Sequence, residues 1–380
     1  MRIAYLSSSV IPSRSASSVH VMKMCQALAR LGHEVTLLAL DGSPEREPGM
    51  ENPYAFHGVD EIFGLHVVPP WRHLGRGWAY SWRLFKAMQA LQPDLVYGRN
   101  FRACVLASVM GYPTILELHT LKVLCSRLDR LMLPILASSR GPSRIVVISR
   151  RLRADLLTVV ALDTDKILVA HDGADPIGEH GRPQVLSSSA SRLQVGYIGH
   201  LYPGRGIELI GEVARRLDDI DFHIVGGHPA DVERIRRSVA LPENAVLYGF
   251  IPYGHAEAFR AHCDVLIAPY QHKVMSNGTE ISQWMSPLKI LEYMAAGKPI
   301  ICSDLPVLRE ILEHGRTAWL VPPDDTEGLV DAVRRLAQDS ELRRRLGQAA
   351  RQEFIDKYTW QGRAARVLQG MTSAQTRPAR

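Results

Sequence analysis

Lys289 and Glu292 are the residues of this sequence whose types and spacing point most directly to binding chemistry. They stand three positions apart in a predicted helix, so both side chains should lie along one side of it. Lys289 falls in the first turn, where the helix dipole disfavours a cation by roughly 0.3–1 kcal/mol. A bound anion would compensate, because free N–H groups and the ammonium would both point at it. Glu292 could accept hydrogen bonds from a ribose diol, and phosphate beside ribose indicates a nucleotide.

The helix that must position these two residues is defined by its own end signals. Ser286 is the predicted N-cap, Pro287 suits the first helical position, and Gly297 suits the residue after the last turn. One buried face is predicted from apolar residues at helical spacing, namely Leu288, Leu291 and Ala295. The local pattern also fits an ordinary amphipathic helix on which Lys289 and Glu292 form a solvated ion pair.

A second candidate for phosphate binding is Arg205, in a turn between a predicted strand and a predicted helix. A permanent cation flanked by Gly204 and Gly206 near a helix N-terminus suits a diphosphate. His200 belongs to the same turn. Gly226 follows another predicted strand and would let a ligand approach the backbone. The alternatives are an exposed arginine in a flexible turn and a simple glycine turn.

Strands alternate with helices along the chain, which is typical of doubly wound α/β domains with parallel sheets. The first half contains predicted strands at 1–9, 34–40, 64–68, 94–97, 114–118, 144–148 and 167–170. The second half contains predicted strands at 193–198, 221–225, 245–248, 264–267 and 299–302. Each half is therefore predicted to be a Rossmann-like domain, with ligands at the strand ends and in a cleft between the domains.

Polar residues of the first half lie at the carboxyl ends of several predicted strands: Ser7–Ser9, His119 and Ser149. A serine-rich loop after the first strand leads into a predicted helix at about 18–31 and could offer N–H and O–H groups to an anion or a sugar. This loop contains no G-x-G-x-x-G sequence, which argues against a nicotinamide-binding site.

Length, charge and cysteine content limit the class of protein. The 380 residues, 46% of them hydrophobic, suffice for two cores. Five cysteines, an odd number without metal-site spacing, predict reduced thiols in a cytoplasm. Neither a signal peptide nor an apolar run long enough to span a membrane is expected. The net charge of +6 favours a nucleotide, a nucleic acid or an anionic membrane surface as partner. Nucleic acid is not expected, because no base-stacking or groove-reading motif is present.

A basic aromatic segment lies at 71–86, where three tryptophans alternate with arginines and a lysine in WRHLGRGWAYSWRLFK. Such a segment can lie on a membrane interface or bind a lipid-linked substrate. The alternative is a loop and helix in which Trp78 and Trp82 pack inward.

Glycosyltransferase family four is the family that the sequence resembles. The resembling segments are YIGHLYPGRGIELI, FHIVGG, VLYGFIP, HCDVLIAPY, SPLKILEYMAAGKPIICSDLP and YTW in the second half, and LARLGHEV, ELH, VVISRRL and DGAD in the first. The resemblance covers nearly the whole chain, and SPLKILEYMAAGKPII is its most specific part. It implies the GT-B fold, with two Rossmann-like domains facing a central cleft, and the SPLK-type branch of the group 1 glycosyl transferases.

The resemblance implies a retaining glycosyltransferase that needs neither metal nor cofactor. The second domain would bind a nucleoside diphosphate sugar, and the first domain a glycan or lipid-linked acceptor, in cell-surface polysaccharide or glycolipid synthesis. A cytoplasmic protein at the inner face of an anionic membrane is expected. The expected parts are domains at 1–178 and 193–356, a linker at 179–192, a helix at 357–371 returning to the first domain, and a tail at 372–380.

Site residues carry over from the family one at a time. Arg205 matches its diphosphate-binding lysine, and Glu292 matches the second glutamate of its E-x7-E motif, which holds the ribose. Lys289 and the amides around Pro287–Leu288 are implied to hold the phosphates. His119 matches a histidine that steadies the transferred sugar without acting as a nucleophile. The implied sugar-nucleotide-binding set is Ser17, Ser18, His200, Arg205, Gly226, Leu288, Lys289 and Glu292, and the implied catalytic set is His119, Arg205 and Lys289.

Four residues at three places in the chain depart from the family pattern. His200 replaces an arginine that usually partners the diphosphate-binding residue, so a weaker contact is expected there. Trp284 replaces the first glutamate of the E-x7-E motif, which usually contacts the transferred sugar, and Glu280 is close enough in sequence to substitute for it. Ser17 and Ser18 stand in the place of a Gly-Gly loop.

Other interpretations stay open. Asp163-Thr164-Asp165 could be the Asp-x-Asp of a metal-dependent A-type glycosyltransferase, although it precedes a strand instead of following one. A sugar-nucleotide epimerase or a phosphorylase could share the same fold. A non-catalytic partner that binds a sugar nucleotide or a lipid is the third alternative, and Trp284 favours it.

Overall fold

A computed structural model describes residues 1–41, 49–69, 76–138, 141–177, 192–251, 253–276 and 279–371. Residues 71–75 of the basic aromatic segment, the predicted linker up to residue 191 and the predicted tail at 372–380 lie outside the described residues. The chain divides into two compact units, the first comprising Met1–Asp172 and the chain from Trp360, and the second Gly173–Thr359.

The first unit is built on seven parallel strands, β1 (Arg2–Ile11), β2 (Glu34–Asp41), β3 (Gly64–Val68), β4 (Leu95–Gly98), β5 (Thr114–Leu118), β6 (Ser143–Val147) and β7 (Ile167–Val169). They lie in the order β3-β2-β1-β4-β5-β6-β7. The intervening helices are α1 (Ala16–Arg30), α2 (Pro53–His57), α3 (Arg76–Leu91), α4 (Phe101–Val109), α5 (Arg127–Ala137) and α6 (Arg150–Val159). Strands β4 and β5 are buried along their whole length, as in a parallel sheet covered on both faces.

Helix α1 shows how local sequence sets the start of the first unit. Ser15 is the N-cap, and its side chain accepts a hydrogen bond from the Ser18 amide at 3.2 Å. Gly32, with φ +83°, follows the last turn in a conformation that glycine adopts without a steric penalty. The serine-rich loop therefore ends in a capped helix at the carboxyl end of β1.

The last helix of the chain, α13 (Trp360–Leu368), packs against α1 in the first unit. The Trp360 ring meets the His20 ring edge to face at a centroid distance of 5.1 Å. Arg144 Nη1 donates to the Val367 carbonyl at 2.8 Å. The first unit is therefore completed by residues that follow the whole of the second unit in sequence.

The second unit contains six parallel strands, β8 (Leu193–Ile198), β9 (Ile220–Val225), β10 (Ala245–Gly249), β11 (Val265–Ala268), β14 (Ile300–Ser303) and β15 (Trp319–Val321), in the order β10-β9-β8-β11-β14-β15. A short antiparallel pair, β12 (Met275–Ser276) and β13 (Thr279–Glu280), stands apart from this sheet. The helices are α7 (Ile207–Arg216), α8 (Pro229–Ser238), α9 (Tyr253–His262), α10 (Leu288–Ala295), α11 (Thr326–Gln338) and α12 (Ser340–Lys357). The prediction of two Rossmann-like parallel sheets is confirmed.

Helix α10 begins one residue later than predicted. Its N-cap is Pro287, whose φ of −76° and ψ of 115° are extended, and no side chain caps it. Ser286 as N-cap is therefore wrong, and the first N–H groups of the helix lack a side-chain cap. The predicted end is correct, since Gly297 follows the helix with φ +64°.

Short elements escaped prediction. Strand β15 has three residues and β12 and β13 have two each, too few to show a periodicity. The last helix, predicted at 357–371, is α13 (Trp360–Leu368), and Tyr358 and Thr359 separate it from α12.

All five cysteines are free thiols, and of these only Cys125 is exposed. Burial raises the pKa of Cys25 well above its usual value and that of Cys302 to about 12. A buried thiol of this kind packs as a small apolar side chain and is not a ready nucleophile.

Helices α3, α4 and α5 of the first unit carry exposed apolar side chains. Leu128, Leu131 and Ile135 follow one side of α5 at positions i, i+3 and i+7 and are between 51% and 68% exposed. On α3, Trp78 and Trp82 are 39% and 50% exposed. Inward packing of these two tryptophans, the alternative considered for segment 71–86, is therefore wrong.

Candidate functional site

Arg205 and Lys289 lie on the same aromatic ring in the second unit. The Lys289 Nζ is 5.2 Å from the centroid of Tyr270, and the Arg205 Cζ is 5.3 Å from that centroid. The Lys289 Nζ also lies over the Tyr197 ring, 3.8 Å from its centroid. Strand β8 supplies Tyr197, the chain after β11 supplies Tyr270, and the two cations precede or begin α7 and α10. The structure thus brings the two predicted phosphate-binding residues together.

Both cations are almost fully buried, each only 9% exposed. Lys289 Nζ donates to the Tyr197 hydroxyl, which in turn donates to the His200 carbonyl at 2.5 Å. Arg205 Nε is buried and has no hydrogen-bond partner in the described part of the chain. No described carboxylate forms an ion pair with either cation.

This arrangement changes the chemistry of Lys289. Burial, and after it the neighbouring Arg205, hold the pKa of Lys289 well below its usual value. Two like charges in a buried site each disfavour the charged form of the other. An anion placed between them would remove that penalty, so the cluster is suited to a diphosphate.

The turn that carries Arg205 can be built only with glycine on either side. A Cβ on Gly204, which has φ +84°, would stand 1.9 Å from the Lys273 carbonyl oxygen. A Cβ on Gly206, with φ +77°, would stand 1.9 Å from the Pro269 carbonyl oxygen. The chain after β11 therefore packs directly against this turn and fixes the position of the Arg205 side chain.

Gly226 is required by the neighbouring backbone. It has φ +120°, its N–H donates to the Gly249 carbonyl at 2.7 Å, and a Cβ would stand 2.1 Å from the Gly199 carbonyl oxygen. Gly199 in turn leaves room for Lys289, whose Cε would be 2.7 Å from a Cβ there. Close strand-end packing beneath Lys289 explains Gly226, and its contact with a ligand stays a prediction.

His200 belongs to a stack of rings beside the two cations. Its imidazole lies parallel to the Tyr202 ring at a centroid distance of 4.9 Å and an interplanar angle of 4°. His228 continues the stack at 6.1 Å. The ring stack gives the turn a flat aromatic edge where a guanidinium was expected from the family.

Glu292 forms an ion pair with Arg260 of α9, with the Arg260 Nη1 and Glu292 Oε2 atoms 3.1 Å apart. Both side chains are largely buried, so the carboxylate is held in one orientation. Leu288, the first residue of α10, is half-buried and lies beside the uncapped helix end. No sequence pattern identifies Arg260 as a site residue, because several other predicted helices also end in arginines.

One residue that departs from the family pattern, Trp284, lies just before α10, and Glu280 is close to it in sequence. Glu280 is exposed on β13, and its Oε1 accepts from Ser282 Oγ at 2.8 Å. Trp284 is half-buried. Glu280 is close enough in sequence to substitute for the missing glutamate, and its hydrogen bond with Ser282 does not assign it that role.

In the first unit, the two loop serines have different surroundings. Ser18 is fully buried, and its hydroxyl donates to the Ser13 carbonyl at 2.6 Å, so it holds the loop and cannot reach a ligand. Ser17 is half-buried, its hydroxyl lies 2.5 Å from Ser9 Oγ, and it accepts from Arg99 Nη1 at 3.2 Å. Of the two, only Ser17 remains a candidate for ligand contact.

His119 follows β5 and is 19% exposed at its side chain. Its Nε2 lies 2.5 Å from Glu117 Oε1. Burial and the nearby Arg99 lower the pKa of His119 to about 4, and Glu117 opposes only part of this shift. The imidazole is therefore neutral near neutral pH, which suits a hydrogen-bonding role and not a charged one.

His119 belongs to a group of four residues with the spacing of a metal site: the ligand atoms of His20, Glu117, His119 and Asp172 lie within 4.8 Å of one another. However, Arg363 Nη2 is 3.1 Å from Glu117 Oε1, so a permanent cation already neutralises the central carboxylate. These residues therefore fit an internal charge network better than a metal ion.

The alternative Asp-x-Asp site is a turn cap. Asp163 Oδ1 accepts from the Asp165 amide at 3.0 Å, and both residues are exposed beside a short 3₁₀ turn. This hydrogen bond explains the acidic triplet as local structure. The interpretation as an A-type metal-binding motif is not supported.

Two family models match the chain, one on each unit. The model of glycosyltransferase family 4 matches residues 17–176, and that of the group 1 glycosyl transferases matches residues 192–339. Together they span most of the described chain.

Individual relatives agree with these matches. A GDP-mannose-dependent alpha-mannosyltransferase of Mycolicibacterium smegmatis is 27% identical over 383 residues, covering 95% of this chain and 94% of the relative. An alpha-D-kanosaminyltransferase of Streptomyces kanamyceticus is 23% identical over 281 residues, covering 68% of this chain and 70% of the relative. The solved structure of Anabaena Alr3699/HepE in complex with UDP has a TM-score of 0.72 at 15% identity and covers 98% of this chain and 100% of that one. The chain belongs to glycosyltransferase family 4, within the group 1 glycosyl transferases, and has the GT-B fold.

Proposed function

We propose that this glycosyltransferase takes its sugar from a nucleoside diphosphate sugar whose diphosphate is bound by Arg205 and Lys289. The observation that carries the proposal is the pair of buried cations on the Tyr270 ring, neither of them paired with a described carboxylate. Buried like charges are costly unless an anion joins them. The M. smegmatis relative is named for GDP-mannose, and HepE was solved with UDP and with UDP-glucose, which supports a donor of this class.

The same two cations can act on the reaction itself. As the glycosidic bond breaks, the departing nucleoside diphosphate gains negative charge. Arg205, Lys289 and the uncapped N-terminus of α10 are fixed positive groups that stabilise this charge without reorganising. We propose on this ground that the protein chain supplies the positive charge for the leaving group and that the transfer is metal-independent.

Glu292 is proposed to accept hydrogen bonds from the ribose of the sugar nucleotide. The ion pair with Arg260 supports this role, because it keeps the carboxylate oriented before any ligand arrives. The amide of Leu288 is proposed to donate to a phosphate oxygen, since no side chain caps that helix end. These contacts would place the nucleoside against α10.

In the first unit, His119 and Ser17 are proposed to contact the transferred sugar. A neutral imidazole can accept a hydrogen bond from a sugar hydroxyl or donate one to it, which agrees with a role in steadying the sugar. We propose retention of the anomeric configuration, as the family resemblance implies, and cell-surface polysaccharide or glycolipid as the product class.

The proposal is tested by a panel of sugar nucleotides that includes UDP-glucose and GDP-mannose. A bound donor at 100 times its dissociation constant should stabilise the protein by about 2.7 kcal/mol, visible as a rise in melting temperature. With an acceptor, nucleoside diphosphate should be released and the product should keep the anomeric configuration of the donor in its NMR spectrum. Binding of a sugar nucleotide without release of nucleoside diphosphate would favour a non-catalytic partner, the alternative that Trp284 favours. A product with inverted anomeric configuration would refute retention.

The acceptor is proposed to be lipid-linked and reached from an anionic membrane surface. In support, we define an apolar face of the first unit made of Trp78, Trp82, Leu128, Leu131 and Ile135. Arg102 links the tryptophans of α3 to the apolar residues of α5. Its guanidinium stacks over the Trp78 ring at 4.7 Å and pairs with Asp129 of α5 at 3.3 Å. Exposed Arg127 and Arg130 flank the leucines. Apolar side chains among basic residues favour the interface of anionic lipids.

Among the described residues, no helix is long and apolar enough to cross a membrane.

We expect the protein to float with vesicles that contain phosphatidylglycerol and to remain in solution with phosphatidylcholine alone. Changing Leu128, Leu131 and Ile135 together to serine should weaken vesicle binding about tenfold or more, because less apolar surface would be buried. Ile355→Ser, at an exposed position on α12, is the control and should bind as the wild type does. A wild-type protein that stays at the bottom of the gradient with anionic vesicles would rule out the apolar face as a membrane contact.

A further inference from the structure

Behind His119 lies a network of charged and polar groups that the proposed reaction does not use. Glu117 is fully buried and is approached by His119 Nε2 at 2.5 Å, by His20 Nε2 at 2.8 Å and by the guanidinium of Arg363. His20 Nδ1 lies 2.9 Å from Asp172 Oδ1. Of these five residues, His119 is partly exposed and the other four are buried.

Arg363 reaches this network from α13, at the end of the chain. Its guanidinium donates to the carbonyls of His171 at 2.8 Å and Ala170 at 3.2 Å, just after β7. It also donates to Glu117 Oε2 and to the Tyr97 hydroxyl, both at 3.2 Å. The arginine is therefore fixed in place by the end of the sheet and forms an ion pair with Glu117.

The electrostatic effect of Arg363 falls on Glu117. Burial alone would raise the pKa of Glu117, but Arg363 and His20 outweigh burial and hold it well below its usual value. An ionised carboxylate has acceptor atoms only, so the contact with His119 requires a proton on His119 Nε2. In a neutral imidazole the other nitrogen, Nδ1, is then an acceptor, and it has no hydrogen-bond partner among the described residues.

A purely structural role does not account for this arrangement. Removing four ionisable groups from water is costly, and well-packed apolar residues often stabilise a core equally well. What the network adds is a fixed tautomer and a fixed ring orientation for the one imidazole that reaches the surface. A carboxylate that accepts a hydrogen bond from one ring nitrogen commonly orients a functional histidine.

We propose that Arg363 is a positioning residue, which holds Glu117 as the acceptor for His119 Nε2 and so leaves His119 Nδ1 to accept a hydrogen bond from a hydroxyl of the transferred sugar. This inference rests on the proposed function of His119 and goes beyond it, since it assigns the tautomer and the residue that sets it. The C-terminal helix thereby contributes to the sugar site of the first unit without touching the sugar.

The test replaces Arg363 by methionine in the full chain and follows hydrolysis of UDP-glucose and GDP-mannose from about pH 6 to about pH 9. Without its cation, buried Glu117 should gain a raised pKa and be protonated at the lower end of that range. A protonated Glu117 can donate to Nε2, so the tautomer of His119 is no longer fixed. We expect a rate about 10- to 100-fold below wild type at low pH that recovers as pH rises.

Two further variants separate positioning from folding. Arg363→Lys keeps the charge and should return the pH profile toward that of the wild type. Arg366→Met removes an exposed arginine from the same helix and should leave the profile unchanged. A loss of rate in R363M by the same factor at every pH would overturn the positioning role while leaving the transferase function standing.

A second measurement does not depend on turnover or on R363M folding. With ¹⁵N-labelled histidine and His119→Asn for assignment, the wild-type spectrum should show His119 as the Nε2–H tautomer, and Glu117→Gln should give a mixture. An Nδ1–H tautomer in the wild type, or an unchanged tautomer in E117Q, would refute the inference. A wild type that hydrolyses no sugar nucleotide of the panel would instead count against the proposed function.

Discussion

Replacing Lys289 by methionine is expected to weaken binding of the sugar nucleotide severely and, at the same time, to stabilise the ligand-free protein. Lys289 is buried beside Arg205 and forms no ion pair with a described carboxylate, so a bound diphosphate would be its ion-pair partner. Losing one partner of a desolvated charge pair costs about 2–5 kcal/mol, which is roughly a 30- to 5,000-fold loss of affinity. Methionine has a similar length and no charge, so the free energy of unfolding of the ligand-free protein should rise by about 1–3 kcal/mol.

Isothermal titration with the best sugar nucleotide of the panel measures the first effect, and denaturant unfolding of the free protein measures the second. Lys357→Met is the matched control, because Lys357 is an exposed lysine of the same unit that pairs with Glu353. It should leave affinity unchanged and should not raise stability. A Lys289→Met protein that binds the sugar nucleotide as tightly as the wild type would contradict the proposed role of Lys289.

Binding of the sugar nucleotide should also take up a proton at Lys289. In the free protein, burial and Arg205 hold the pKa of Lys289 well below its usual value of 10.5. The diphosphate favours the ammonium and raises that pKa in the complex. Between the two pKa values the ammonium forms only on binding, so affinity should fall by up to about tenfold for each unit of rising pH.

The stability of the free protein should have the opposite pH dependence. The unfolded chain holds the Lys289 proton more tightly than the folded chain does. Between the lowered pKa and the usual one, the unfolded state therefore binds more protons, and stability rises with pH. The same lysine thus predicts two trends of opposite sign, one in affinity and one in stability.

Proton uptake is measured by titration calorimetry in two buffers with different enthalpies of ionisation. A sugar nucleotide is the right ligand, because its diphosphate is a diester with no proton to lose near neutral pH. The wild type should take up as much as one proton for each ligand bound. Lys289→Arg keeps a charge that does not titrate in this range, so it should take up none. Equal proton uptake by the wild type and by this variant would place the titrating group elsewhere.

The sequence predicts all seven strands of the first sheet, five of the six strands of the second sheet and the two cations of the site. Buried parallel strands appear in the sequence as short apolar runs. Their alternation with helices along the chain can therefore be predicted from local sequence. Lys289 and Arg205 can be identified from the sequence because their helix-end positions and flanking residues are also local features. The misplaced N-cap at Ser286 has a local cause too, since Pro287 itself adopts an extended backbone.

The partners of these residues could not be predicted, because they come from distant parts of the chain. The Lys289–Tyr197 hydrogen bond joins residues 92 positions apart, and the Arg260–Glu292 pair joins residues 32 positions apart. Sequence spacing suggested Lys289 as the partner of Glu292, whereas the structure pairs Glu292 with α9. Contacts of this kind are set by the order of strands and helices in three dimensions.

The network behind His119 is the extreme case. Arg363 and Glu117 are 246 positions apart, and no pattern in either neighbourhood relates them. The ELH segment marks His119 and Glu117 as close in sequence, but alternation along a strand gives no reason to expect a buried glutamate. Only the return of the last helix to the first unit brings its cation to that carboxylate.

The most direct test of the account is a crystal structure of this protein with the nucleoside diphosphate that it binds. The account predicts diphosphate oxygens at hydrogen-bond distance, about 2.7–3.2 Å, from both Lys289 Nζ and the Arg205 guanidinium. A nucleotide bound with its diphosphate away from these two side chains would contradict it.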